Sequence, residues 1–207
     1  MAYVPRIEVP YGYFHVGARG NNKRQIFLSD DDRNWFLLLL AKVAKKYAWS
    51  IYAYCLMGNH YHLVLRLADA GLSRGMCQLN TAYAVGFNER YQRINHLFGR
   101  RFWSEHITTD TYLFEAIRYV VQNPVRAGFS ASCEEWPWSS YRATAGLAKA
   151  HPFLAVDDVL DLVAPFAADP SERFREYCAV VLSKREGRGT SGKWQPLARN
   201  SRQSVTN

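Results

Sequence analysis

The order strand, helix, hairpin, helix, strand, helix between Tyr13 and Asn123 predicts an α+β fold: a ferredoxin-like split βαβ layer, its antiparallel sheet covered by helices on one face, plus a C-terminal helical appendage. Three observations carry this expectation. An acidic helix start, Ser29 followed by Asp30, Asp31 and Asp32, precedes apolar residues at helical spacing. Gly58-Asn59 separates two strand-like runs, and the second run alternates between an apolar and a polar side.

Taken in order, Tyr13 to Ala18 reads as a first strand, closed by Arg19-Gly20-Asn21-Asn22, whose glycine and asparagines suit a turn. Phe36, Leu39, Leu40 and Val43 then recur with the period of a helix buried on one side. Trp49 to Met57 is rich in aromatic and β-branched residues and predicts a strand, and the two-residue turn leads into a partner from His60 to Leu67. Leu72 to Tyr91 predicts a helix, Arg101 to Thr109 a strand, and Thr111 to Asn123 a helix stopped by Pro124. Beyond Gly128, Trp136-Pro137-Trp138 and Ser139-Ser140-Tyr141 suggest a loop and a short helix packed on the domain. Val156 to Val163 and Ser171 to Leu182 suggest two further helices around a turn at Asp169-Pro170.

The 207 residues, 48% of them hydrophobic, suffice for one full domain and an appendage. Cys55, Cys77, Cys133 and Cys178 are scattered, with no CxxC pair, which favours reduced thiols over a disulfide framework or a zinc site. The chain shows no secretory leader pattern, and the apolar run Trp35 to Val43 is too short for a membrane span, so a cytoplasmic protein is expected. Twenty-six Lys and Arg against eighteen Asp and Glu give a net charge of +8 and point to a polyanionic partner. The excess is concentrated after Lys184, where Lys184, Arg185, Arg188, Lys193, Arg199 and Arg202 face Glu186 alone.

Alternation puts His60, His62, Val64 and Arg66 on one side of their strand and Tyr61, Leu63, Leu65 and Leu67 on the other. The second set must face the helices. Both histidines therefore point to the open face, two residues apart, within reach of one ion. On the later helix, Leu113, Ala116, Ile117, Val120 and Val121 form one stripe, and Tyr119 lies off it, sharing a flank with Tyr112 and Glu115. Asn123 follows one turn later and can offer an amide oxygen.

Tyr54-Cys55-Leu56-Met57-Gly58-Asn59-His60-Tyr61-His62-Leu63, Arg118-Tyr119 leading to Asn123-Pro124-Val125-Arg126-Ala127-Gly128, and Trp138-Ser139-Ser140-Tyr141 resemble signatures of the REP-associated tyrosine transposases. These are relatives of the single-stranded-DNA transposases among the HUH endonucleases. Arg19-Gly20-Asn21 resembles their first motif, so the likeness runs from about residue 5 to 145. It implies that His60 and His62 hold a divalent cation, Mg²⁺ or Mn²⁺, with Asn123 as a third, weaker ligand. It also implies that Tyr119 is the nucleophile and that a 5′-phosphotyrosine forms near a palindromic REP hairpin. Gly58 departs from the family, which commonly has proline there. Gln122 adjoins Asn123 and could supply the amide instead; the spacing of four from Tyr119 favours Asn123.

The partner implied is single-stranded or hairpin DNA, and no membrane. The chain would act as a monomer or homodimer, its nucleophile's helix packed on its own subunit or on a partner's. Candidate DNA contacts are Arg19, Asn21, Arg90, Arg93, Arg100, Arg101, Trp103 and Arg126, with Phe102 in the same patch and the basic segment from Lys184 as a second region. The expected organisation is a catalytic unit over residues 1–150, a helical appendage over 151–186 and a basic tail over 187–207, mobile unless DNA orders it. The alternative is a host-adopted protein that recognises the same hairpins without cleaving. A plasmid relaxase or replication initiator is disfavoured, because those relatives often carry longer histidine motifs and additional domains.

Overall fold

A computed structural model describes residues 8–166 and 168–180; the basic segment from Lys184 and the expected boundary at 187 lie outside the described residues. Four strands, β1 (Tyr13–Arg19), β2 (Ser50–Leu56), β3 (His60–Arg66) and β4 (Trp103–Ile107), form one sheet in the order β2-β3-β1-β4, every adjacent pair antiparallel. α1 (Asp30–Lys46) joins β1 to β2, and α2 (Leu72–Arg90) joins β3 to β4. This is the predicted split βαβ layer.

Local chemistry sets these elements. At the start of α1 the Ser29 hydroxyl accepts from the Asp32 amide at 3.3 Å, and the Asp32 carboxylate accepts from the Ser29 amide at 3.1 Å. This reciprocal cap, with three aspartates at the positive end of the helix, fixes where α1 begins. Phe36, Leu40 and Val43 of α1 meet Met76, Leu79 and Tyr83 of α2 over Tyr61, Leu63 and Leu65 of the sheet, making a first core. Between β2 and β3 the Met57 amide donates to the His60 carbonyl at 2.9 Å and closes the predicted Gly58-Asn59 turn. The Gly58 carbonyl also accepts from the amides of Ile26 and Phe27, which ties the turn to the loop before α1.

The opposite face is open only in part, contrary to the expectation that it stands free. α3 (Asp110–Val121), capped by the Thr109 hydroxyl, crosses it and packs Leu113, Ala116, Ile117, Val120 and Val121 against Tyr52, Ala53, Cys55 and Val64. The reason lies in β2, whose register shift between Ile51 and Ala53 turns Tyr52 and Ala53 together toward this side. A strand apolar on both faces needs cover on both. The helix predicted to run to Asn123 and stop at Pro124 ends at Val121, and Pro124 sits in the first turn of α4 (Asn123–Ala127), where its missing N–H has no helical partner to lose. α5 (Tyr141–Thr144), α6 (Val156–Asp161) and α7 (Pro170–Ala179) complete the second core through Tyr141, Val159, Phe174 and Cys178.

Trp136 to Ser140 pack on the domain as the sequence suggests. The Leu56 amide donates to the Trp138 carbonyl at 2.8 Å and the Ser140 amide to the Tyr54 carbonyl at 3.0 Å, which covers the outer edge of β2. All four cysteines are free thiols, three of them buried. Among the described residues no helix is long and apolar enough to cross a membrane.

Because Phe36 is fully buried in the first core, Phe36→Ala is expected to cost about 3–5 kcal/mol in urea unfolding. Leu38→Ala, on the exposed side of the same helix, should change stability by about 0.5 kcal/mol or less. Equal effects would contradict the assignment of the buried face.

Candidate active site

β3 turns Tyr61, Leu63, Leu65 and Leu67 into the first core, so His60 and His62 emerge on the face that α3 crosses, as alternation predicts. β1 obeys the same rule. Its Phe14, Val16 and Ala18 enter the first core, which leaves Tyr13, His15, Gly17 and Arg19 on the histidines' side. Gly17 stands opposite His62 on one flank and opposite Trp103 on the other. A Cβ at Gly17 would lie 2.8 Å from the Trp103 ring, so the glycine is what lets the indole lie across the strand. Trp103 then meets His15 with ring centroids 4.6 Å apart and His62 at 5.5 Å, while 38% of its surface stays exposed.

Tyr119 reaches this group from α3. Its ring centroid is 5.8 Å from that of His62 and 5.7 Å from that of His15, and the Arg126 guanidinium lies 4.7 Å above it. α3 thus packs on the sheet of its own chain. Asn123 is buried and hydrogen-bonds to the His60 ring. Gln122 faces the other way, donating from Nε2 to the carbonyls of Cys178 (2.9 Å) and Val180 (2.8 Å) inside the second core. Of the two amides the sequence leaves open, Asn123 is the one at the histidines.

The three imidazoles are neutral near pH 7. Burial, reinforced by the Arg19 charge and opposed by the Asn123 hydrogen bond, brings His60 down to about 4. Burial brings His15 to about 3 and, together with His15, His60 and Arg19, holds His62 well below its ordinary value. Hydrogen bonding also orders the protons. Asn59 Nδ2 donates to the Lys23 carbonyl at 3.0 Å, which turns its Oδ1 toward His60 Nδ1 at 2.6 Å. An amide oxygen only accepts, so His60 Nδ1 is the donor in this bond.

Among the described residues no group of three or more His, Cys, Asp or Glu side chains gathers as a metal site. The donor set is instead two neutral imidazoles, rings 5.1 Å apart, with an amide beside them. Uncharged imidazole nitrogens whose other ring nitrogen is already hydrogen-bonded are the form a divalent cation takes, so the residues fit one.

Arg19, Trp103 and Arg126 border this site, and Asn21 begins the turn just beyond β1, its amide donating to the Leu97 carbonyl at 2.8 Å. The remaining candidates lie apart. Arg90 pairs with Asp32 at 2.8 Å beside α1, and Arg93 lies 5.6 Å over the ring of Phe87. Arg100 and Arg101 rim a groove of about 620 Å³ along α2. Phe102, expected in the DNA-contact patch, is buried in the first core. His15 is the residue that sequence reasoning passes over. The alternation of β1, applied as it is to β3, places it on the histidines' face.

The model of the family described as transposase, IS200 like, matches residues 8–122. A Haemophilus influenzae protein described as a REP-associated tyrosine transposase is 26% identical over 119 residues, 52% of this chain and 68% of that protein. The solved structure of a REP-associated tyrosine transposase bound to a REP hairpin superposes with a TM-score of 0.60 at 17% identity, covering 82% of this chain and 93% of that one. At that identity the likeness is one of fold.

The depressed histidines set a pH dependence. A folded value below the unfolded one means that the unfolded chain binds more protons, so stability is lost as pH falls through about 6.5 and the loss continues toward about 4 and 3. His15 alone is expected to remove about 2 kcal/mol by pH 5. Unfolding free energies that stay level between pH 6.5 and 5 would contradict neutral burial of these rings.

Proposed function

Given that the chain belongs to the IS200-like transposase family, we propose that it is a metal-dependent single-stranded-DNA endonuclease and transposase. It cleaves and rejoins DNA near REP-type hairpins through a 5′-phosphotyrosine. What supports the reading is the convergence of the Tyr119 ring with His60, His62 and Asn123 on the uncovered part of one sheet face.

In this reading His60, His62 and Asn123 hold Mg²⁺ or Mn²⁺. When bound, the cation neutralises charge that grows on the scissile phosphate. Tyr119 attacks phosphorus: its oxygen forms the new P–O bond, the phenolic proton leaves, and the bond to the 3′ oxygen breaks as that oxygen takes up a proton. The strand's 5′ phosphate remains on Tyr119, and a later 3′-hydroxyl attack restores the phenol and a phosphodiester. A phenol is a weak nucleophile at neutral pH, so the attack needs a group that takes the phenolic proton; the Arg126 guanidinium, 4.7 Å over the Tyr119 ring, is placed to meet the phosphate. Trp103 offers a stacking surface for an unpaired base beside the imidazoles, and Arg19, Asn21 and Arg126 are placed for phosphates. Arg90, Arg93, Arg100 and Arg101 are proposed as outer contacts, reached only by DNA that extends around the edge of the sheet. The catalytic unit is assigned to residues 1–150 and a helical appendage to 151–186, of which α7 packs on α3; the protein works in the cytoplasm, as a monomer or homodimer.

A labelled hairpin oligonucleotide with a single-stranded flank, incubated with Mn²⁺, is expected to yield a denaturation-resistant adduct on the wild-type chain. Tyr119→Phe should abolish it while binding the hairpin with affinity changed by less than about threefold, a loss confined to the chemical step. Adduct on Tyr119→Phe would exclude this nucleophile. Hairpin binding by the wild type without adduct would favour the binding protein that does not cleave.

A further inference from the structure

His15 is a buried polar side chain for which the proposed chemistry has no use. It is 1% exposed, yet its Nε2 lies 3.1 Å from His62 Nδ1. Two neutral imidazoles in such contact must divide the roles, one donating and the other accepting. On His60 the division is already made by Asn59 Oδ1, an amide oxygen that only accepts.

We propose that His15 is the positioning residue that does for His62 what Asn59 does for His60: its Nε2 accepts from His62 Nδ1–H, orienting the ring and leaving His62 Nε2 with the lone pair a divalent cation needs. The inference rests on the reading of His60 and His62 as cation ligands. Each ring holds one proton in this arrangement, so the proton of His15 sits on Nδ1. That atom is buried without a hydrogen-bond partner among the described residues. His15 packs edge to face with Trp103 at 4.6 Å and with Tyr119 at 5.7 Å, and aromatic faces take a weak bond from N–H but offer none to a bare lone pair. The reverse division, with His15 donating, would put the proton of His62 on Nε2, where it blocks coordination.

The position is one that carboxylates and carbonyls commonly fill behind a ligand histidine. The carbonyls of β1 and β3 are engaged in the antiparallel ladder here, and a side chain from the neighbouring strand takes that place. Trp103 covers His15, so the acceptor is shielded from competing water. His15 would then touch neither cation nor DNA and would act only through His62.

Histidine ¹⁵N–¹H correlation spectra of the metal-free full chain are expected to show His62 protonated on Nδ1 in the wild type and in His15→Gln, whose amide can accept in the same place. In His15→Leu, which keeps most of the volume, the proton should shift toward Nε2. Mn²⁺ titrations without DNA, followed by electron paramagnetic resonance, should place His15→Gln within about threefold of the wild type and His15→Leu weaker by about 10–100-fold. A wild-type His62 with its proton on Nε2, or a folded His15→Leu that binds Mn²⁺ like the wild type, would overturn the inference. Absence of Mn²⁺ binding by the wild type would instead sink the cation reading, and the spectra would still decide the proton's position. Should His15→Leu fail to fold, the wild-type and His15→Gln spectra decide it.

Discussion

The antiparallel register of β1 against β3 is the constraint on which the site depends. With Gly17 opposite His62, both strands send Phe14, Val16, Tyr61, Leu63 and Leu65 under α1 and α2 and hold His15, His60 and His62 together on the reverse face. A slip of one residue would exchange the faces of a strand, burying imidazoles among the helices and exposing the aliphatic set. Core formation and site assembly are thus one event. The hydrophobic demand of the first face also places the polar group on the second.

The second face resolves two opposing requirements. β2 needs apolar cover, which α3 and the C-terminal helices provide, whereas a phosphate needs an approach. The covering helix stops short of the β1-β4 side, and its flank brings Tyr119 to the boundary between core and opening. Burial there keeps the histidines uncharged, and Arg19 reinforces it. That arrangement costs stability in acid but leaves ring nitrogens available to a cation, with positive charge toward an anionic strand. Arg126 over the Tyr119 ring adds to the positive charge on that side of the site.

Much of this was legible in the chain. The acidic start of α1, the Gly58-Asn59 turn and the alternation after His60 placed α1, β2, β3 and the outward direction of both histidines, and the runs on either side placed β1, α2 and β4. The stripe on α3 correctly left Tyr119 off the core. Other features depend on partners distant in sequence. The burial of Phe102 is set by tertiary packing, and the engagement of Arg90 by Asp32 on another helix. Local propensity reads Pro124 as a stop, but it opens α4 and so brings Asn123 to His60. The spacing of four from Tyr119 already favoured Asn123 over Gln122, whereas the partners that hold Gln122 away, the carbonyls of Cys178 and Val180, come from distant sequence that no local pattern supplies.

The measurement that reaches the central claim most directly is anomalous diffraction at the manganese edge from crystals of the chain grown with Mn²⁺ and a REP-type hairpin carrying its single-stranded flank. The account predicts one peak within coordination distance, about 2.0–2.3 Å, of His60 and His62 ring nitrogens, with a backbone phosphate between that ion and the Tyr119 hydroxyl. A peak elsewhere, or DNA bound along α2 with no phosphate near Tyr119, would contradict it.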